Sequence, residues 1–331
     1  MMPLQGAIMK FSVVPGLMLV LPFLLWAAPA SARPARAAKP VVLNVGAGMA
    51  FALPSDAARQ AQPGNIIRIA PGTYSDCARW DANDLVIEGP GSGVVITGQV
   101  CDDKALFITR GRNITIRNIT FTGAQARSHN GAGIRAEGRD LTVENSRFID
   151  NEDGILAGDN RGSTITVRDS IFRGNGNCIA ACAHGIYANH IALLKVENCE
   201  FLEQHTGHHI KSRAARTEIL NNSVHDGALG SSSYLVDLPN GGSAVISGNW
   251  FEKGPLSQNK QTAISIGAEG SRRENPPGAI TIRDNTFIND TGIETDFVKN
   301  YTAAPIRLEA NRLVGDVIPL RKQALPQGSR Q

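Results

Sequence analysis

The chemistry-bearing residues of this chain crowd into its middle. Six of its seven histidines lie between His184 and His225, and the segment Glu203-Gln-His-Thr-Gly-His-His-Ile-Lys-Ser-Arg213 holds three histidines, a lysine and an arginine in eleven residues. The next coil-sized stretch adds Tyr234-Leu-Val-Asp-Leu-Pro239 and then Asn240. Cations of this kind neutralise a bound carboxylate, while Tyr, His and Lys give or take protons. Taken singly, each is ordinary: a lone surface lysine is usually a solvated charge, and a lone histidine is more often packed or capping than reactive. What matters is whether the fold brings them to one face.

The elements that must do so are written in a repeat. One phrase reads Ile114-Thr-Ile-Arg-Asn-Ile-Thr-Phe121, then Leu141-Thr-Val-Glu-Asn-Ser-Arg-Phe148, Ile165-Thr-Val-Arg-Asp-Ser-Ile-Phe172, Leu194-Lys-Val-Glu-Asn-Cys-Glu-Phe201 and Ile280-Thr-Ile-Arg-Asp-Asn-Thr-Phe287. Looser copies end at Val224 and Phe251, and the steps between endings run from 23 to 36 residues. Self-similarity at such a period marks a stacked array with a continuous core. Alternation of apolar and polar residues is strand periodicity. Each phrase therefore predicts two short strands about a polar step (Asn118, Asn145, Asp169, Asn198, Asn221, Asp284). Those residues either hydrogen-bond along the stack or simply form the bend. A shorter phrase, Gly133-Ile-Arg-Ala136, Gly154-Ile-Leu-Ala157, Gly185-Ile-Tyr-Ala188 and His209-Ile-Lys-Ser212, supplies a third strand per coil.

Strand parity then assigns faces. With Ile134, Ile155, Ile186 and Ile210 inward, Arg135, Leu156, Tyr187 and Lys211 point outward. Placing Val236 inward adds Asp237 to that row; placing Leu235 inward would instead expose Tyr234 and Val236. Tyr187, Lys211 and Asp237 would then span about 10 Å on three adjacent coils. Asn189 and Arg213 form a second outward row, His209 stands beside Gly185, and the preceding loops add His129, His184, His205 and His208.

These phrases, with the entry Pro63-Gly-Asn-Ile-Ile-Arg-Ile-Ala-Pro-Gly-Thr-Tyr74 behind an apolar cap near Ala52–Ala61, resemble the right-handed parallel β-helix (pectin-lyase-like) superfamily of exported carbohydrate-active proteins. The expected fold is all-β: a single-stranded right-handed parallel β-helix solenoid with three short strands per coil and an N-terminal capping segment. The expected domain spans 41–318, with a polar tail over 319–331. The resemblance implies a sugar-binding groove along the Gly-Ile-x-Ala strand. It does not choose a reaction, because one fold hosts many.

An acidic polysaccharide is the partner this set suits, and β-elimination at a uronate the reaction. Lys211 and Arg213 would neutralise the sugar carboxylate, Lys211 would also act as base, and Tyr187 or His209 as acid. His184, Asn189, His205, His208, Asp237 and Asn240 would bind substrate. Calcium is compatible but not implied, because only Asp237 and Asp226 offer carboxylates nearby. An epimerase needs similar groups, but the Asp-Pro-His-Asp motif of mannuronan epimerases is absent. Hydrolysis needs a carboxylate pair that the strand pattern does not supply; Gly207-His-His-Ile-Lys211 only echoes hydrolase motifs. The competing class is a non-catalytic glycan-binding or structural β-helix.

The whole chain fits this picture. A net charge of +3 over 331 residues gives no basis for nucleic-acid binding. Lys10, the apolar run Phe11–Trp26 and Ala30-Ser31-Ala32 predict a cleaved signal peptide over 1–32, then a flexible leader over 33–40. A periplasmic or secreted monomer without membrane insertion after cleavage is expected. Five cysteines suit that setting: Cys77 with Cys101, Cys178 with Cys182, and Cys199 buried and unpaired in the repeat phrase.

Overall fold

The alternating phrases form strands because each buries one face and leaves the other to solvent or loops. In the computed structural model, which describes residues 9–12, 40–179, 181–270 and 275–323, they pair in parallel into three sheets of 11, 10 and 10 strands. After the first strand, Val42–Val45, every coil contributes one strand to each sheet, so the chain winds as a parallel β-helix. All named strand pairs are parallel, and equivalent residues stand in register: Ile114 on Leu141, Leu141 on Ile165, Ile165 on Leu194. The short helix Pro54–Gln60 packs against Val42–Val45 and Ala78–Trp80 at the N-terminal end, where the apolar cap was expected. Apart from 9–12 and 40, the expected signal segment and leader lie outside the described residues.

The phrase-ending phenylalanines fill the interior as a stack. Phe121, Phe148, Phe172 and Phe201 are wholly buried or nearly so, with ring centroids 5.3, 4.6 and 4.5 Å apart. Each such contact adds about 0.5–1.5 kcal/mol beyond the apolar area removed from water.

The polar step does both things considered for it. Asn118, Asn145, Asp169, Asn198, Asn221 and Asp284 adopt left-handed backbone with φ from 45° to 61°, which Asn and Asp tolerate best among residues with a Cβ. Asn145 Nδ2 also donates to Asn118 Oδ1 at 2.7 Å. A longer ladder runs through the following residue, which faces inward. Asn222, Asn249 and Asn285 are buried. The side-chain oxygen of Asn249 accepts both the backbone N–H (2.8 Å) and the Nδ2 (3.0 Å) of Asn222; Asn285 does the same for Asn249, and Asn311 for Asn285. Their remaining amide hydrogens go to carbonyls of the preceding coil. Buried polar groups are thereby satisfied where the backbone bends away from the sheets. Cys199 occupies the same position, donates its thiol to the Glu197 carbonyl, and is pushed up to about 12 by burial. Cys77–Cys101 and Cys178–Cys182 form disulfides.

One boundary differs from expectation. The array does not stop at 318: Val317–Lys322 is a strand paired with Thr295–Asn300, because Val317 and Leu320 still pack against the core ahead of the polar tail. At Tyr234–Pro239 the register is the one with Val236 inward, paired with Ile210, and Asp237 on Lys211.

One coil also buries charge. Asp226 and Lys253 have no exposed side-chain surface and lie 3.9 Å apart. Asp226 further accepts from Ser257 Oγ (2.6 Å) and the Gly254 N–H (3.2 Å), and pairs with His209 Nε2 at 3.0 Å, while Lys253 donates to the Ser233 carbonyl at 2.7 Å. Burial pushes the Asp226 carboxyl up, but His209, Lys253 and Ser257 outweigh it and hold it well below the usual range.

Asn249→Ala should cost about 1–3 kcal/mol in urea unfolding, because the Asn222 N–H then lacks an acceptor. Asp226→Ala should cost about 3–5 kcal/mol by stranding the Lys253 charge. The folded Asp226 carboxyl has a depressed pKa, so its contribution is present above the ordinary carboxylate range and is lost as pH falls toward the folded value. The gap between wild type and Asp226→Asn should therefore narrow on acidification below the ordinary range.

Candidate active site

Strand pairing brings three of the expected residues into one row. Tyr187 pairs with Lys211 and Lys211 with Asp237, and the row continues to Ser265. The floor of the candidate groove is thus set by backbone register. Its edge is set by side chains that accept backbone hydrogens from the next coil. Asp153 Oδ1 accepts the His184 N–H at 2.7 Å, His184 Nδ1 accepts the His208 N–H at 3.0 Å, and His208 Nδ1 accepts the Tyr234 N–H at 3.1 Å. The rings stack in consequence, with centroids 4.7 Å apart for His184–His208 and 4.9 Å for His208–Tyr234. Burial, and then the charges of neighbouring groups including Lys211, hold both histidines well below the usual imidazole range. They are neutral at neutral pH, and with Nδ1 accepting, the ring proton sits on Nε2. His208 Nε2 lies 3.5 Å from Asp237 Oδ2.

Arg213 ties the floor together. Its Nε donates to the Tyr187 hydroxyl at 3.0 Å and one Nη to Asn240 Oδ1 at 2.9 Å. The Tyr187 hydroxyl oxygen accepts from Arg213, so its own hydrogen is left for another acceptor. Lys211 Nζ and Arg213 Cζ sit 5.5 and 5.6 Å from the Tyr187 ring centroid, within cation–π range.

Glu269 is a residue that strand periodicity missed. Both Nη atoms of Arg213 bond its carboxylate, one at 2.7 Å, and Lys211 Nζ donates to it at 3.3 Å. It sits in the loop after Thr262–Ile266, which the Gly267 and Glu269 N–H groups pin to the carbonyls of Leu238 and Pro239. The only sequence signal was the Gly267-Ala-Glu-Gly270 pattern of a tight loop one coil beyond Asp237.

The two carboxyls are driven apart. Asp237 is pushed up to about 6, chiefly by burial, with Lys211 opposing. Burial also acts upward on Glu269, but the Arg213 bonds and the Lys211 charge win and hold it below the usual range. Lys211 Nζ touches both, 3.8 Å from Asp237 and 3.3 Å from Glu269. Asp237 Oδ1 and Asn240 Nδ2 are buried without a hydrogen-bond partner.

Other expected positions fall elsewhere. His209 does not stand in the outward row. It is 1% exposed, bonded to Asp226 and turned toward the Phe201 ring. The equivalent position in earlier coils is Gly154 and Gly185, and a Cβ added at Gly154 would run into the Phe172 ring; this position faces inward, and parity breaks at the strand start. Asn189 accepts the His190 N–H at 3.1 Å, and exposed His205 lies beside Gly174. Asp226, the second carboxylate weighed for calcium, is in the interior.

Comparison with known proteins supports the architecture. No curated protein matches the sequence significantly. Among solved structures, an alginate lyase from Paenibacillus sp. str. FPU-7 superposes with TM-score 0.60 at 16% identity, over 83% of this chain and 98% of that one. Pectate lyase Pel9A gives 0.54 at 18% identity, over 80% and 72%. A DFA-IIIase from Arthrobacter chlorophenolicus A6 gives 0.51 at 14%, over 81% and 85%. At such identities the likeness is one of fold. Residues 73–184 match the model of the right handed beta helix region, and the three parallel sheets show the parallel β-helix fold continuing on both sides of that match.

Proposed function

We propose that this protein is a carbohydrate-active enzyme that cleaves an acidic polysaccharide by β-elimination at a uronate. The observation that carries this reading is the convergence of Lys211, Arg213 and the Tyr187 hydroxyl on one face of two adjacent coils. Elimination is limited by the weak acidity of the proton beside the sugar carboxylate. Two cations on that carboxylate stabilise the carbanion-like charge as it forms. Arg213 and Lys211 take this role, and the free hydroxyl hydrogen of Tyr187 is offered to the departing glycosidic oxygen. The proton acceptor favoured by the geometry is Asp237 rather than Lys211. Lys211 is occupied by two carboxylates, whereas Asp237 is a stronger base than an ordinary carboxylate, is still ionised at neutral pH, and has an unpartnered oxygen.

One observation favours a second reading. Asp237 and Glu269, with their acidities pushed in opposite directions beside one lysine, resemble the acid and carboxylate of a glycoside hydrolase. Against it, Glu269 is held by two cations, which weakens it as nucleophile or base.

The two are separated by product. Incubation with alginate, pectate, glycosaminoglycans and bacterial exopolysaccharides should give unsaturated ends absorbing near ~235 nm from at least one polymer. New reducing ends without that absorbance would replace elimination by hydrolysis, and binding without either product would leave a glycan-binding protein. Tyr187→Phe should lower kcat by about 10²–10⁴-fold with little change in KM. With Asp237 as base, kcat/KM should rise with pH through about 6, the region where its carboxyl ionises, and Asp237→Asn should remove that limb.

A further inference from the structure

The cations of the site are nearly sealed, and the group that seals them is a carboxylate. The Lys211 and Arg213 side chains are 13% and 10% exposed, Asp237 5%, while the Glu269 side chain lying on them is 37% exposed. Glu269 meets Arg213 through both Nη atoms and Lys211 through Nζ. This is the bidentate-plus-point-charge arrangement by which proteins hold a carboxylate group.

We propose that Glu269 occupies the carboxylate subsite of the groove, standing where the carboxylate of an acidic sugar binds, and that it is displaced when ligand enters. The inference rests on the acidic-polysaccharide reading for the identity of the ligand, but not for the existence of the subsite. Three features carry it. First, the receptor survives without its occupant. Arg213 keeps the Tyr187 hydroxyl and Asn240 Oδ1, and Lys211 keeps Asp237 and the Tyr187 ring. Second, the occupant can leave without breaking the sheet: Glu269 comes from a loop and not from the ladder, and although its backbone is held to the Leu238 and Pro239 carbonyls, its side chain is bonded only to Arg213 and Lys211 among the described residues. Third, the subsite holds polar capacity that Glu269 leaves unused, since Asn240, which orients Arg213, is buried with its Nδ2 unpartnered.

The internal carboxylate therefore acts as a competitor, and apparent affinity for an external one is reduced by the fraction of molecules in which the subsite is filled. It also imposes selectivity. A neutral sugar cannot replace Glu269 without leaving the buried Arg213 guanidinium with no carboxylate, whereas a uronate exchanges one carboxylate for another.

The test uses Glu269→Ala and Glu269→Gln in the full chain, with circular dichroism to verify folding. Acetate and uronate oligosaccharides serve as probes. Relative to equal chloride, acetate should raise the melting temperature of Glu269→Ala but not of wild type. Calorimetry should show uronate oligosaccharides binding Glu269→Ala about tenfold more tightly. Glu269→Gln, which keeps the shape and loses the charge, should fall between, and it carries the test if the alanine variant does not fold. Equal responses of variants and wild type to both probes overturn the proposal. So does weaker oligosaccharide binding in the variants, which would make Glu269 part of the ligand site. An acetate effect in Glu269→Ala with no oligosaccharide binding upholds the subsite and rejects the acidic-polysaccharide reading.

Discussion

The structure depends on one repeated interaction: a side chain of one coil accepting a backbone hydrogen of the adjacent coil. Parallel strands satisfy each other within a sheet but not at the bends between sheets, where backbone groups are buried and the ladder is interrupted. Asn222, Asn249, Asn285 and Asn311 serve the bend in this way, and Ser146 and Ser170 do so with a hydroxyl. Asp153, His184 and His208 do the same at the entrance to the groove strand. One constraint thus both turns the chain and fixes the groove edge.

The cost of this solution appears at the site. His184 and His208 spend Nδ1 on backbone and burial keeps them neutral, so they contribute shape and an Nε2 hydrogen rather than charge. The ionic chemistry falls to the next positions of the strand, Tyr187, Lys211, Asp237 and Arg213. Their charges are held against each other in low dielectric. Burial drives both carboxyls upward and prevails at Asp237, whereas the Arg213 bonds hold Glu269 down, although the same lysine touches both.

Much of this was legible in the residues. The repeated phrase with its period of two marked the coils and the row Tyr187–Lys211–Asp237, because strand parity converts position into face, and the spacing of the cysteines marked the two disulfides. It failed where parity fails. His209 follows the ladder position of His208 and precedes inward Ile210, so two successive residues face the interior, and a two-residue period cannot express that. It failed again at Glu269. That side chain reaches Arg213 from 56 residues away on a loop, and loop conformation is not encoded by hydrophobic alternation. The buried Asp226–Lys253 pair was hidden because a lysine that alternation leaves unmarked can lie inside when a carbonyl and a carboxylate receive it.

The near-uniform step from coil to coil has a kinetic meaning. Each described strand pairs with one a full circuit away along the chain, so forming the first coil closes a long loop for little return, while each later coil adds against a finished template. Assembly is therefore a nucleation followed by growth along an axis. The helix Pro54–Gln60, packed on the earliest strands, places a ready template at the end of the domain that is synthesised first. Growth in that direction reaches the groove coils only after the scaffold beneath them is in place.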